Sequence, residues 1–214
     1  MPAELLKINS SKPEAKLISY AAERIRQGLV LGMPTDTFYG LAADPVNLRA
    51  VERIYQIKTR SQHKPLSLLV ESVDQASELA RKPPAVFDDL AKKYWPGPLT
   101  IILRASSRLP LKVTANTGNV ALRVPDAAIP VAIIREVGSP ITATSANLLG
   151  RSECKTAECV RDQLGDRISI IVNGGATKRE LPTTIVDLSG DPPEWQILRE
   201  GAIPSDDISQ VLWR

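Results

Sequence analysis

Histidine, cysteine and aromatic residues are scarce in this 214-residue chain, which holds one His, two Cys, two Phe, three Trp and four Tyr. Two thiols and one distant imidazole, His63, cannot complete a tetrahedral zinc site of the usual kind. No carboxylate pair stands at a spacing that points to hydrolytic acid/base work. There is no Gly-x-x-x-x-Gly-Lys-Ser/Thr loop and no Gly-x-Gly-x-x-Gly, so neither a Walker nor a Rossmann phosphate cradle is present. No run of ~18 uninterrupted apolar residues occurs, and Met1 to Ser11 alternates apolar and polar residues without the apolar stretch of a secretion signal. These absences lead us to expect a soluble, cytoplasmic protein with no membrane association and with Cys154 and Cys159 as free thiols. A net charge of +3 permits a local basic cleft but is too mild to argue for nucleic acid by itself.

What is present is ordinary globular composition, 43% apolar and 24% charged, enough to bury a core in one fairly large domain. From Pro13 to Gln27, Leu17, Ile18, Ala21, Ala22 and Ile25 recur at helical spacing, and Gly28 follows where a C-cap glycine belongs. Leu29 to Leu31 reads as a short strand ending in a Gly32-Met33-Pro34 turn. Asn47 caps a second helix bearing Leu48, Val51, Ile54 and Tyr55, which brings Lys58 and Arg60 to its C-terminal end. Leu66 to Val70 reads as a buried strand, and Ser72-x-x-Gln75 as a capping box. A helix over 85–95 stops at Pro96-Gly97-Pro98. Strands are expected at 99–104, 119–124, 168–172, 184–188 and 194–199, with helices at 130–137 and after Thr156, and a short surface helix beyond Pro204. This interleaving predicts an α/β or mixed α+β fold around one central sheet.

Several polar groups stand at strand ends. Thr35, Asp36 and Thr37 follow the Gly32-Met33-Pro34 turn, and Asp36 suits either a turn or a metal-bound water. Lys58 to Pro65 gathers cationic side chains before a strand; alone, such a run reads as a solvated surface. Within it, His63 reads as loop surface rather than a general base. Ser145-Ala146-Asn147 lets backbone amides approach a ligand, although an ST-turn explains it as well. Arg123 lies inside the apolar run Val120 to Val124 and must be paired, either with a buried carboxylate or with an anionic ligand. Hydroxyls and amides that fix a zwitterion, beside cations that neutralise phosphate oxygens, suit a site holding an amino acid next to a polyphosphate.

In order, Pro34-Thr35-Asp36-Thr37-x-Tyr39-Gly40-Leu41, Lys58-x-Arg60, Lys64-Pro65-Leu66, Trp95-Pro96-Gly97-Pro98-Leu99-Thr100, Leu122-Arg123-Val124-Pro125, Ser145-Ala146-Asn147-Leu148 and Thr183-Thr184-Ile185-Val186-Asp187 resemble the YrdC/Sua5 family of threonylcarbamoyl-AMP synthases. The resemblance runs from about Ala15 to Ala202 and matches the short, single-domain form, with 1–14 as an N-terminal extension and 203–214 as a tail. It implies an α/β, YrdC-like domain: a twisted, mixed and largely parallel sheet flanked by helices, with an open, positively charged cavity. It further implies a nucleotidyltransferase that makes threonylcarbamoyl-adenylate and pyrophosphate from L-threonine, bicarbonate (or CO2) and ATP, with Mg2+ accompanying the ATP. That product supplies N6-threonylcarbamoyladenosine at adenosine 37 of tRNAs reading codons that begin with A, through a downstream threonylcarbamoyl transferase complex.

Carried over by motif, Lys58, Arg60, Ser145 and Asn147 would be catalytic and contact ATP, together with Gln62 and Arg199. Thr35, Ser67, Arg123, Ala143 and Thr183 would line the threonine pocket, with Arg123 taking the carboxylate; no residue is implied as a metal ligand. Thr59, Ser61 and Thr183 depart from the family's usual Gly, Pro and Ser, and the first two bear on loop shape because Gly permits positive φ and Pro fixes φ. The rival readings are a module binding double-stranded RNA, tRNA or the ribosome through a basic surface, and a carbamoyl-transferring or sugar-phosphate enzyme on the same fold.

Overall fold

The computed structural model describes residues 3–58, 65–192 and 194–213. In chain order its elements are β1 (Glu4–Lys7), α1 (Ala15–Arg26), β2 (Leu31–Met33), β3 (Gly40–Ala42), α2 (Leu48–Lys58), β4 (Ser67–Leu69), α3 (Val73–Leu79), α4 (Ala85–Tyr94), β5 (Leu99–Arg104), β6 (Asn119–Arg123), α5 (Ala128–Val137), β7 (Ile141–Thr142), β8 (Thr144–Ser145), α6 (Ala157–Leu164), β9 (Ile170–Asn173), β10 (Thr184–Asp187), β11 (Gln196–Arg199) and α7 (Ser205–Leu212).

Local chemistry sets most helix limits. Ile18, Ala21, Ala22 and Ile25 form the buried stripe of α1, which ends before Gly28 at φ +86°. Asn47 Oδ1 accepts from the amides of Arg49 and Ala50 at 3.1 and 3.2 Å, and Thr156 Oγ1 from Cys159 N at 3.2 Å. Ser72 Oγ accepts from Gln75 N at 3.1 Å. The Gln75 side chain returns to Glu71 N at 3.0 Å, one residue earlier than the reciprocal bond of a capping box.

The fold class is the expected one, but the single sheet is corrected to two. A five-stranded sheet has the order β1-β9-β2-β3-β8, and a six-stranded sheet the order β11-β10-β5-β6-β4-β7. Nor is the pairing largely parallel: β1/β9, β2/β9, β4/β6 and β5/β10 are parallel, whereas β2/β3, β3/β8, β4/β7, β5/β6 and β10/β11 are antiparallel. Strands of two to four residues carry too little alternation to reveal which neighbour they join. The first and last described elements are both packed into the fold. β1 lies parallel to β9, and α7 buries Ile208, Val211 and Leu212 while Asp207 O accepts from Tyr94 Oη at 3.0 Å.

Period-two alternation divides the core. On β2, β3 and β9, Leu31, Met33, Ala42, Ile170 and Val172 face a cluster with α1 and α5, whereas Leu41 and Ile171 face a larger cluster with α2, α4 and α6. On the six-stranded sheet Leu68, Leu99, Ile101, Leu103, Val120, Leu122 and Val186 enter the larger cluster. The intervening residues Ser67, Leu69, Thr100, Arg123 and Ile185 are thereby left to line a cavity between the sheets.

Cys154 and Cys159 are disulfide-bonded, which corrects the expectation of free thiols. The turn into α6 at Thr156 brings their Cα atoms to 5.4 Å, within the span a disulfide bridges. Among the described residues no helix is long and apolar enough to cross a membrane.

Candidate active site

The cavity between the sheets measures about 200 Å³. Its floor is the six-stranded sheet, and its walls are the 35–40 turn, the β7–β8 segment, Glu153, Pro182 and Arg199. The arrangement follows from the strands: Ile185 stands opposite Thr100, and Leu69 opposite Arg123, in adjoining registers of one sheet. Every residue expected in the threonine pocket, Thr35, Ser67, Arg123, Ala143 and Thr183, lines this one space.

Arg123 is buried at 6% exposure, and its charge is met inside the protein. Nη2 donates to Asp36 Oδ1, Nη1 to Thr37 Oγ1 at 3.1 Å, and Nε to Gly97 O at 2.9 Å. The structural carboxylate left open by the sequence is thus Asp36, and that pairing is also what Asp36 does. Asp36 Oδ1 also accepts from Asp126 N at 3.2 Å, and Arg179 Nε lies 3.8 Å from Oδ2. Burial lowers the Arg123 pKa, and the Asp36 charge opposes that shift. A guanidinium has five N–H groups. One on each Nη therefore has no further hydrogen-bond partner among the described residues, on a side chain that lines the cavity.

Thr35 Oγ1 donates to Phe38 O at 2.7 Å and accepts from Thr37 N at 3.1 Å, which folds the turn back on itself. Thr183 Oγ1 accepts from Thr100 Oγ1 at 3.0 Å and from Arg199 Nη2 at 2.8 Å. Arg199 is thus joined to the threonine-pocket residue, and its partial burial lowers its pKa. Ala143 N donates to Ser67 O at 2.8 Å, anchoring the break between β7 and β8.

A second cluster adjoins the cavity at Ser145. Lys58 Nζ, at the C-terminus of α2 and 6% exposed, donates to Ser145 O, to Ser145 Oγ at 3.1 Å and to Asn147 Oδ1 at 2.9 Å. Ser145 Oγ donates to Asn147 Oδ1 at 2.7 Å, and Asn147 Nδ2 to Arg151 O at 2.6 Å. Residues 87 and 89 positions apart are therefore assembled only by folding: Lys58 and Ser145 meet because Ser145 pairs with Gly40 on β3. Arg60 and Gln62, with Thr59, Ser61, His63 and Lys64, lie outside the described residues.

Residues 23–201 match the Sua5/YciO/YrdC family model, which carries the description "Telomere recombination". The chain belongs to this family. It is similar to the threonylcarbamoyl-AMP synthase of Pyrococcus abyssi, 36% identical over 91% of this chain and 57% of that protein. It is also similar to the threonylcarbamoyl-AMP synthase of Vibrio vulnificus, 37% identical over 86% of this chain and 98% of that one. The chain thus spans little more than half the length of the Pyrococcus relative and nearly all of the Vibrio one. Among solved structures, P. abyssi Sua5 complexed with L-threonine superposes with a TM-score of 0.92 at 33% identity, covering 98% of this chain and 61% of that one.

Sequence reasoning gave no role to several cavity residues, among them Thr100, Tyr39 and Glu153. Thr100 closes the Trp95 to Thr100 motif but was given no role. Tyr39 is fully buried and donates to Gly175 O at 2.7 Å, and burial pushes its pKa up to about 12. Glu153 is the only carboxylate among the described lining residues, and nothing in its local sequence signalled a site.

Proposed function

We propose that this chain is an L-threonylcarbamoyladenylate synthase, a cytoplasmic nucleotidyltransferase that joins L-threonine, bicarbonate and ATP. The observation that carries this reading is the pairing, around one cavity, of an Arg123 guanidinium with N–H groups to spare and a Lys58–Ser145–Asn147 cluster at its edge. The first suits a carboxylate and the second the oxygens of a polyphosphate. The relatives named threonylcarbamoyl-AMP synthase, and the neighbour complexed with L-threonine, support the same reading.

In this reading Arg123 takes the amino-acid carboxylate, and Glu153 offers an acceptor for the ammonium proton. The neutral amine adds to CO2 or dehydrating bicarbonate to form a carbamate. A carbamate oxygen then attacks the α-phosphorus as the bond to pyrophosphate breaks. Lys58, Arg60 and Gln62 with Ser145, Asn147 and Arg199 would hold the phosphates and adenylate. Positioning and charge neutralisation account for such chemistry without a covalent nucleophile. Mg2+ would accompany the ATP, and no step is assigned to it.

The adenylate would pass to a separate transferase complex that modifies tRNA. The deciding experiment is pyrophosphate release from ATP with Mg2+, threonine and bicarbonate present or individually omitted, without RNA. Release that needs both small molecules and no tRNA is the expected result. Tight RNA binding with no release would replace this reading by an RNA-binding module.

A further inference from the structure

Thr183 Oγ1 has both of its acceptor positions occupied. Thr100 Oγ1 donates to it at 3.0 Å and Arg199 Nη2 at 2.8 Å, while Arg199 Nε holds the Thr183 carbonyl at 2.9 Å. A hydroxyl carries two lone pairs and one proton, so with both lone pairs engaged only the proton is left to offer. No hydrogen bond from that proton occurs among the described residues, and Thr183, Thr100 and Arg199 all line the cavity.

We infer that Thr100 is a positioning residue: it fixes the polarity of the threonine-pocket hydroxyl of Thr183, so that Thr183 can only donate to an oxygen of the amino-acid substrate. The inference rests on the threonine-activating reading above. Thr100 reaches this place because β5 alternates: Leu99, Ile101 and Leu103 enter the core, and Thr100 faces the other way. It is 4% exposed, so bulk water competes little for its hydroxyl. Arg199, as a guanidinium, can only donate, which leaves Thr183 no alternative orientation.

Since Arg123 is positioned for the carboxylate, the Thr183 proton falls to the side-chain hydroxyl oxygen. A substrate with only hydrogen in place of that hydroxyl, as in L-2-aminobutyrate, leaves a buried donor unpaired, whereas serine, which lacks only threonine's methyl, does not. Threonine is therefore favoured over L-2-aminobutyrate by more than over serine.

The test compares wild type, Thr100→Val and Thr100→Ser for pyrophosphate release with threonine, serine and L-2-aminobutyrate. Thr100→Val is isosteric and frees one Thr183 lone pair, so the hydroxyl can rotate. The threonine KM should rise ~10-fold, the scale of one lost hydrogen bond, with the ATP KM unchanged. The preference for threonine over 2-aminobutyrate should narrow correspondingly, and Thr100→Ser should restore both. An unchanged preference in Thr100→Val, or an equal loss with all three amino acids, overturns the inference. If wild type releases no threonine-dependent pyrophosphate, the enzymatic reading fails separately, and calorimetry with threonine and 2-aminobutyrate decides this point. Equal affinity for the two, or binding of neither, overturns it there.

Discussion

Arg123, on β6 of the larger sheet, shares its charge with Asp36, on the turn that leaves the smaller sheet, and both side chains are 7% exposed. The ion pair thus spans the two sheets at the cavity wall. Neither partner is tolerable there without the other, because a buried charge stripped of its counter-charge keeps its desolvation cost.

Asp36→Asn should therefore destabilise the fold by about 3 kcal/mol or more, the range for removing one member of a buried pair. Urea unfolding measures it. A variant as stable as wild type would mean that Gly97 O, Thr37 Oγ1 and solvent compensate the Arg123 charge as well as Asp36 does, since Arg179 is itself a cation.

Lys58→Ala should lower pyrophosphate release by ~10²-fold, the loss typical of one electrostatic donor to a transition state. Arg60→Ala should do the same on the motif alone. Circular dichroism should stay native in both. Near-normal release from folded Lys58→Ala would reduce Lys58 to a brace for Ser145 and Asn147.

A side chain at Gly201 has no room: an added Cβ would lie 2.3 Å from Pro182 O and 2.7 Å from the Thr183 carbonyl atoms. Gly201→Ala should push the Pro182–Thr183 backbone toward the cavity, costing about 1–3 kcal/mol and raising the threonine KM. Thermal melts and threonine titrations read the two effects, and an unshifted KM would show that the strain is relieved away from Thr183.

Tyr39 gives a pH dependence with a definite sign. Its pKa rises from 10.0 to about 12 in the folded protein through burial, so the unfolded chain loses the phenol proton first. The stability it contributes is complete below pH 10 and is lost as pH climbs toward 12. Tyr39→Phe should cost about 1 kcal/mol near neutrality, from the lost bond to Gly175 O. That deficit should shrink above pH 10 in paired denaturant titrations; a constant deficit would contradict the assignment.

How much was legible in the sequence differs between helices, strands and site. The stripe of α1, the caps at Asn47, Ser72 and Thr156, and the apolar runs of β5 and β6 were readable because their causes lie within a few residues of one another. The conversion of one expected sheet into two was not, since β3, β7 and β8 span two or three residues and take their identity from partners far along the chain. Cys154 and Cys159 were visible as residues but not as a bond, which depended on the turn that brings them together.

The same division holds in the cavity. Sequence by itself determined the family, through ordered motifs, and named Thr35, Arg123, Ser145, Asn147 and Thr183 as residues to watch. Only the tertiary structure decided that Arg123 is paired with Asp36, that Lys58 is bound up with Ser145 and Asn147, and that Thr100 and Arg199 close around Thr183. The physical reason is that motifs and periodicity are local, whereas hydrogen-bond polarity and charge compensation depend on which groups two separately formed sheets bring within about 3 Å of each other.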